Sequence, residues 1–117
     1  MHLTEITYSE AQPIDGYGPG FFRVNGQVLR GACLITPWGA GAWGGLDDTN
    51  TPLALLGKID VLFVGMGAEI AHIPATFRQV FEAAGIGVEV MNSPAACRTY
   101  NVLLSEGRRI AAALLPV

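Results

Sequence analysis

The chain has 117 residues, of which 50% are hydrophobic and only 15% are charged. This length predicts a single domain, residues 1–117, that is large enough to bury its own core. The net charge of −3 without a basic cluster argues against nucleic acid or anionic membrane as a partner.

The first half of the chain has the pattern of β structure. An apolar run at Leu3–Tyr8 predicts a short strand, and residues 13–20, rich in proline and glycine, predict a long turn. Asn25-Gly26 predicts a tight hairpin whose strands are Phe21–Val24 and a segment beginning at Val28-Leu29.

A glycine-rich segment follows the hairpin. Residues 31–36 continue as a further strand or as the far end of the same strand, and Pro37 ends it because proline cannot donate to a ladder. Residues 39–45 contain too many glycines for a helix, so they predict a loop or an irregular edge strand. Trp38 and Trp43 are expected to anchor this segment; the alternative is a recognition surface.

The second half alternates strands and helices. Capping residues at 47–51 predict a short helix at Pro52–Gly57. Ile59–Val64 is almost continuously apolar, which indicates a buried central strand ended by Gly65-Met66-Gly67. An apolar stripe with helical spacing predicts a helix at Pro74–Ala84.

The C-terminal third repeats this alternation. Val88–Met91 predicts a strand, and a helix is expected from an N-cap at Ser93 to Ser105 or Glu106. Ile110–Leu115 predicts a last strand. Strands and helices in this order indicate a layered α/β core, with the first half supplying the rest of the sheet and a small β layer beside it.

The last helix carries many polar residues. Positions within about 60° of Tyr100 form its predicted core stripe: Ala96, Cys97, Leu103, Leu104 and Gly107. The flanking pairs are Thr99 with Glu106 and Asn101 with Ser105. One interpretation is an amphipathic helix with solvated flanks, and the alternative is that one flank faces a groove or a partner.

Few residues are suited to catalysis or to metal binding. Cys33 and Cys97 are the only cysteines and lack Cys-x-x-Cys spacing, and two scattered histidines cannot complete a metal site with them. We therefore expect neither metal nor cofactor. The first residues lack the basic and apolar pattern of a secretory signal, and no apolar run reaches about 20 residues. We therefore expect the chain to be cytoplasmic and not inserted in a membrane.

Two segments resemble a known family. The run MNSPAACRTYNVLLSEGRRIAAALLP, at residues 91–116, is similar to the C-terminal signature of the Mth938-like family, through Thr99-Tyr100-Asn101 and Glu106-Gly107-Arg108. LLGKIDVLFVGMG, at residues 55–67, resembles that family's central strand and glycine turn, although Met66 replaces the usual threonine. The resemblance covers most of the chain, since its size and the order of its elements also agree with those of the family.

The resemblance implies a fold and a type of role. Family members are small soluble α/β proteins with three layers (β+α/β/α), a central mixed sheet, and a last strand antiparallel to the others. Mitochondrial members are similar to an assembly factor for respiratory complex I. The family supplies no established catalytic residue.

Two functions follow as hypotheses. The first is a non-enzymatic interaction or assembly protein with unknown protein partners, which the apolar composition would also allow to form a homo-oligomer. The alternative is a small-molecule or anion binder, or an enzyme, that uses the turns at 65–67 and 92–93, because ligands bind beyond the carboxyl ends of strands in α/β sheets. The candidate binding and surface positions are Gly65, Met66, Gly67, Asn92, Ser93, Thr99, Asn101, Glu106, Arg108 and Trp38.

Overall fold

The computed structural model describes residues 11–117, so the strand predicted at Leu3–Tyr8 lies outside the described residues. In chain order the elements are β1 (Ile14–Gly18), β2 (Phe21–Val24), β3 (Gln27–Arg30), β4 (Cys33–Thr36), β5 (Gly39–Ala42), α1 (Asn50–Leu53), β6 (Val61–Met66), α2 (Ala75–Ala83), β7 (Gly87–Met91), α3 (Ser93–Ser105) and β8 (Ile110–Leu115).

The strands form two sheets. The larger sheet has five strands in the order β5-β4-β8-β6-β7, and the smaller has the order β1-β2-β3. In the larger sheet β6 is parallel to β7 and to β8, whereas β4 is antiparallel to β5 and to β8. The predicted mixed central sheet and the small β layer are both confirmed.

Apolar groups cover both faces of the larger sheet. Phe63 points to the face that is covered by α3 and the small sheet, where it shares a core with Phe22 and Tyr100. Its neighbours in β6 point to the opposite face, where α2 contributes Phe77 and Phe81 to a second core. This is the expected β+α/β/α arrangement, and it explains the low charged fraction because the central strands are buried on both sides.

The direction of the last strand was wrongly predicted. β8 lies parallel to β6, with Val61 opposite Ile110 and Met66 opposite Leu115, and it is antiparallel only to β4. The reason is the connection: α3 carries the chain from the end of β7 back across the sheet, so that β8 starts at the same edge as β6.

The predicted hairpin is confirmed. Asn25 and Gly26 both have positive φ, 52° and 73°, and β2 pairs with β3 across them. The long turn predicted at residues 13–20 is wrong, because residues 14–18 form β1 and pair with β2. A register shift between Ile14 and Gly16 gives this strand a bulge, which accounts for its irregular sequence.

The glycine-rich segment contributes the edge of the larger sheet. Residues 33–36 form a separate strand, β4, rather than a continuation of β3, and β5 is an edge strand among the described residues, with all its residues exposed. Trp43 is 5% exposed and acts as the expected anchor, donating its indole N–H to the Asp48 carbonyl. Trp38 is 54% exposed and does not anchor the segment.

The first short helix differs from its prediction. It covers Asn50–Leu53 rather than Pro52–Gly57. Its N-cap, Thr49, makes no side-chain cap hydrogen bond, but the carboxylate of the preceding Asp48 accepts hydrogen bonds from the hydroxyl and the backbone N–H of Thr51. The hydroxyl bond, followed by backbone N–H bonds, lowers the pKa of Asp48 below its usual value.

The longer helices have nearly the predicted limits. α2 follows Pro74, which is its N-cap, and ends before Gly85, whose φ is 84°.

The central strand is longer than predicted. β6 continues through Gly65 and Met66, so only Gly67 belongs to the turn that was expected to begin at Gly65.

One side chain joins α3 to the small sheet. The Asn101 amide oxygen accepts the Ile14 N–H at 2.8 Å, and its amide nitrogen donates to the Ile14 carbonyl at 2.9 Å. Ile14 is 6% exposed, so these groups have little access to water. Asn101 therefore replaces a strand partner at the bulge of β1.

Replacing Asn101 by alanine should destabilise the protein by about 1–3 kcal/mol, because two backbone groups of Ile14 lose their partners. The free energy of unfolding in urea measures this, and hydrogen exchange should show faster exchange of the Ile14 N–H. Gln79→Ala, which removes an exposed amide from α2, is the matched control. Equal stabilities of the two variants would contradict the bridging role.

Candidate functional site

The topology places a switch point between β6 and β7. β6 leads into α2 on one face of the sheet, and the neighbouring strand β7 leads into α3 on the other. Ligand crevices in α/β sheets open where adjacent strands diverge in this way. The two turns that the sequence singled out, at Gly67 and at Asn92-Ser93, are therefore brought together as expected.

A buried serine closes the space between these turns. Ser93 has no exposed surface, its hydroxyl donates to the Leu115 carbonyl at 2.6 Å, and it accepts the Gly67 N–H at 2.9 Å. The Ser93 N–H donates to the Gly67 carbonyl at 2.8 Å. Sequence reasoning missed Leu115, which lies at the end of the last strand.

Close packing at Gly65 adds to this closure. A β-carbon built there would lie 2.7 Å from the Ser93 hydroxyl oxygen and 2.9 Å from the Ser93 α-carbon. It would also lie 2.8 Å from a methyl carbon of Leu114. Since real β-carbons do not approach so closely, glycine is required for α3 to approach β6 at this distance.

The N-terminus of α3 has no backbone donor left for an anion. Asn92, not Ser93 as predicted, is the N-cap, and its side-chain oxygen accepts the Ala95 N–H at 2.7 Å. The Ala96 N–H donates to the Asn92 carbonyl at 3.0 Å, and Pro94 has no N–H. The dipole of the helix remains, but the donors that would hold an anion are already bonded.

The buried thiols are poor nucleophiles. Cys33 and Cys97 are free, and both belong to the core under α3. Burial raises the pKa of Cys33 to about 12 and that of Cys97 to about 11. Since the thiolate is the reactive form, both groups are protonated and inert at neutral pH.

The central tyrosine of α3 is equally unsuited to acid–base chemistry. Tyr100 has no exposed surface, and burial raises the pKa of its hydroxyl above the usual value. The described part of the chain offers that hydroxyl no hydrogen-bond partner. Of the predicted core stripe, Ala96, Cys97 and Leu104 are buried and Leu103 is partly buried against the same core, whereas Gly107 lies beyond the end of the helix.

The two flanks of α3 have different surroundings. Thr99 lines a shallow depression with Arg98, Val102 and Leu103. On the opposite flank, Asn101 is occupied by its bonds to β1.

The helix end carries the remaining polar candidates. Glu106 and Arg108 are exposed beyond the last turn, and the Arg108 N–H closes the helix on the Leu103 carbonyl. The structure thus places these candidates at the surface without gathering them into one site.

Trp38 forms a different kind of surface. It borders a cavity of about 190 Å³ between the β4–β5 turn and the small sheet, whose other walls include Val24, Leu29 and Ala40. The Lys58 ammonium lies 6.0 Å from the centre of the indole ring, a neighbour that the sequence did not indicate. Polar residues line this cavity as well. An exposed tryptophan is typical of a protein-binding surface.

The described residues contain neither a metal-binding cluster nor a membrane-spanning helix. Among residues 11–117, no three histidine, cysteine or acidic side chains are close enough to hold a metal ion. None of the helices there combines the length and the apolar character required to cross a membrane.

Comparison with protein families gives a match over nearly the whole chain. The model of a protein family of unknown function (DUF498/DUF598) matches residues 14–115. An uncharacterized protein of Rhodobacter capsulatus is 53% identical over 117 residues, covering 100% of this chain and 94% of that protein.

More distant relatives carry descriptive names. Human NADH dehydrogenase [ubiquinone] 1 alpha subcomplex assembly factor 3 is 32% identical over 123 residues, covering 99% of this chain and 67% of the human protein. A Mth938-like domain from Bordetella pertussis, solved by NMR, superposes with a TM-score of 0.74 at 25% identity, covering 99% and 88% of the two chains. The predicted resemblance to Mth938-like proteins is confirmed.

Ser93→Ala should lower the free energy of unfolding by about 1–3 kcal/mol, because the Gly67 N–H would be buried without a partner and the partly buried Leu115 carbonyl would lose its hydrogen bond. Urea denaturation measures the change. Ser105→Ala is the control, since the Ser105 hydroxyl is exposed and bonds within its own helix. A loss no larger than that of the control would show that the hydroxyl does not close the crevice.

Both cysteines should resist alkylation in the native protein at pH 8, because burial holds the pKa of each thiol at about 11 or 12. In urea both should react at the rate of a free cysteine, whose pKa is about 8.5. Mass spectrometry after timed iodoacetamide treatment measures both rates. Rapid labelling of native Cys97 would restore the thiol as a candidate nucleophile.

Proposed function

The chain belongs to the DUF498/DUF598 family of Mth938-like proteins, and from this premise we propose that it is a non-enzymatic protein-interaction module. Its task is to bind other proteins during their assembly. It transforms no substrate, and the turns beyond β6 and β7 are structural.

The closed switch point carries this proposal. Ser93 and Gly65 occupy the place where an α/β fold would hold a ligand, and the N–H groups of α3 are already paired there. The two thiols that could act as nucleophiles are buried and protonated. A binding function is therefore best sought on the outer surface.

The relatives support an assembly role. The human relative is named an assembly factor of NADH dehydrogenase, and this chain spans about two thirds of its length. We extend to this chain the general role of binding protein subunits. The experiment below identifies those subunits. We propose a cytoplasmic location because both cysteines are free thiols, as is usual in that reducing compartment.

Trp38 is the proposed centre of the partner surface. Tryptophan is enriched among the side chains that dominate binding energy, and this one is more than half exposed beside a cavity with both polar and apolar walls. The outer side of α3 offers a second apolar position at Val102, which is 56% exposed and adjoins Thr99. Glu106 and Arg108 remain proposed surface contacts at the end of that helix.

Trp38→Ser should weaken partner retention by at least tenfold, because loss of a central tryptophan costs about 2 kcal/mol or more of binding energy. The measurement is affinity capture from the native cell with quantitative mass spectrometry, comparing the variant with the unaltered protein. Stability should stay within about 0.5 kcal/mol, since the side chain is at the surface.

Ile70→Ser is the matched control, because Ile70 is 67% exposed on the loop between β6 and α2. A protein retained by the control and lost with Trp38→Ser would support the proposed surface. Recovery of chaperones alone, or equal retention by all three forms, would refute it. The separate prediction of a homo-oligomer is tested by light scattering, which measures the molar mass of the purified protein in solution.

A further inference from the structure

The small sheet has an outer face that no described element covers. In the β2–β3 hairpin, Phe22 and Leu29 form one cross-strand pair and contribute to the core below. Residues alternate between the two faces of a strand, so the pairs Phe21–Arg30 and Arg23–Val28 lie on the opposite face. Arg23, Val28 and Arg30 are all exposed.

Two glycines make this face flat. Gly16 of β1 lies beside Arg23, and Gly18 lies beside Phe21. The Phe21 ring lies on Gly18, where a β-carbon would come within 2.5 Å of a ring carbon, whereas the space above Gly16 is open. On this face β1 therefore contributes no side chain at Gly16 or Gly18, and its backbone is uncovered at Gly16.

The face also combines positive charge with apolar surface. The Arg23 guanidinium carbon lies 5.9 Å from the centre of the Phe21 ring, which holds it over the aromatic side chain. Val28 is 45% exposed between the two arginines. This face is therefore positively charged, although the chain as a whole has a net charge of −3.

We propose that this outer face, formed by Phe21, Arg23, Val28 and Arg30 over Gly16 and Gly18, binds an acidic, extended segment of a partner protein. The proposal rests on the interaction role proposed above and gives that role a partner chemistry. Arginine pairs with carboxylates through two parallel hydrogen bonds, so each guanidinium can hold one acidic side chain.

The spacing of the arginines indicates the pattern of the segment. Arg23 and Arg30 are diagonal neighbours across the hairpin, about 7–8 Å apart at their α-carbons. Acidic residues two positions apart in an extended chain point to the same side at about 6.6–6.8 Å, which matches this separation. An apolar residue beside them would cover Phe21 and Val28.

The charge of the whole chain favours a protein partner over nucleic acid. Binding to a polyanion depends on many phosphate contacts and long-range attraction, which a chain of net charge −3 opposes. Two arginines beside an aromatic ring instead suit a short contact with a protein segment. In such a contact, burial of apolar surface adds to the pairing of charges.

The test places a photo-crosslinking amino acid at Val28 of the full chain, in the cell that produces it. Mass spectrometry then identifies the crosslinked peptide and measures its yield. We expect a segment of another protein with at least two acidic residues close together. Arg23→Gln combined with Arg30→Gln should reduce the yield at least about tenfold, because the carboxylates would lose both charged partners.

Thr76→Glu combined with Gln79→Glu is the matched control, because it changes the net charge by the same two units at exposed positions of α2, on the opposite face of the larger sheet. Its yield should stay within about twofold of the parent, as expected for a charge outside the contact. Equal losses in both variants would overturn the proposal. So would crosslinks to residues 1–10 of the same chain, a second copy, nucleic acid or a segment without acidic residues.

The interaction role and the acidic-segment proposal can be refuted independently. If affinity capture finds a Trp38-dependent partner while Val28 gives no crosslink, the acidic-segment proposal is wrong and the interaction role stands. If no protein depends on Trp38 and Val28 crosslinks to nothing, both proposals are wrong.

Discussion

The arrangement of the second half of the chain depends on the hydroxyl group of Ser93. It lies where the turn after β6, the start of α3 and the end of β8 meet, and it bonds to the backbone of the other two. Its partners are 26 and 22 residues away in the sequence. Because the group is fully buried, any change that separates these elements leaves polar backbone atoms without water or a partner.

This contact requires small residues around it. Gly65 lets the backbone of α3 approach β6, and Ala111–Ala113 of β8 have no exposed surface between the two cores. Larger side chains at these positions would push the helical layers away from the sheet. The same closeness that stabilises the fold removes the crevice that α/β proteins commonly use for ligands.

The predictable parts of the fold are those set by local sequence. The Asn25-Gly26 turn needs residues that accept positive φ, and β6 could be recognised from its continuous apolar run. β1 was missed because its strand character comes from pairing with β2 and from Asn101, 87 residues away. A buried strand is apolar in either direction, so its sequence could not reveal that β8 runs parallel to β6.

The candidate site shows a similar division. The two turns were correctly placed together from strand order alone, but whether they leave a space depends on contacts that only the folded chain defines. Asn92 and Ser93 are both capping residue types, and the Leu115 carbonyl decides which of them caps and which turns inward. Ser93, turned inward, and Asn101, bonded to β1, are therefore internal supports of the fold. Trp38 and the arginines of the hairpin are among the exposed residues, and the proposed contacts with proteins rest on them.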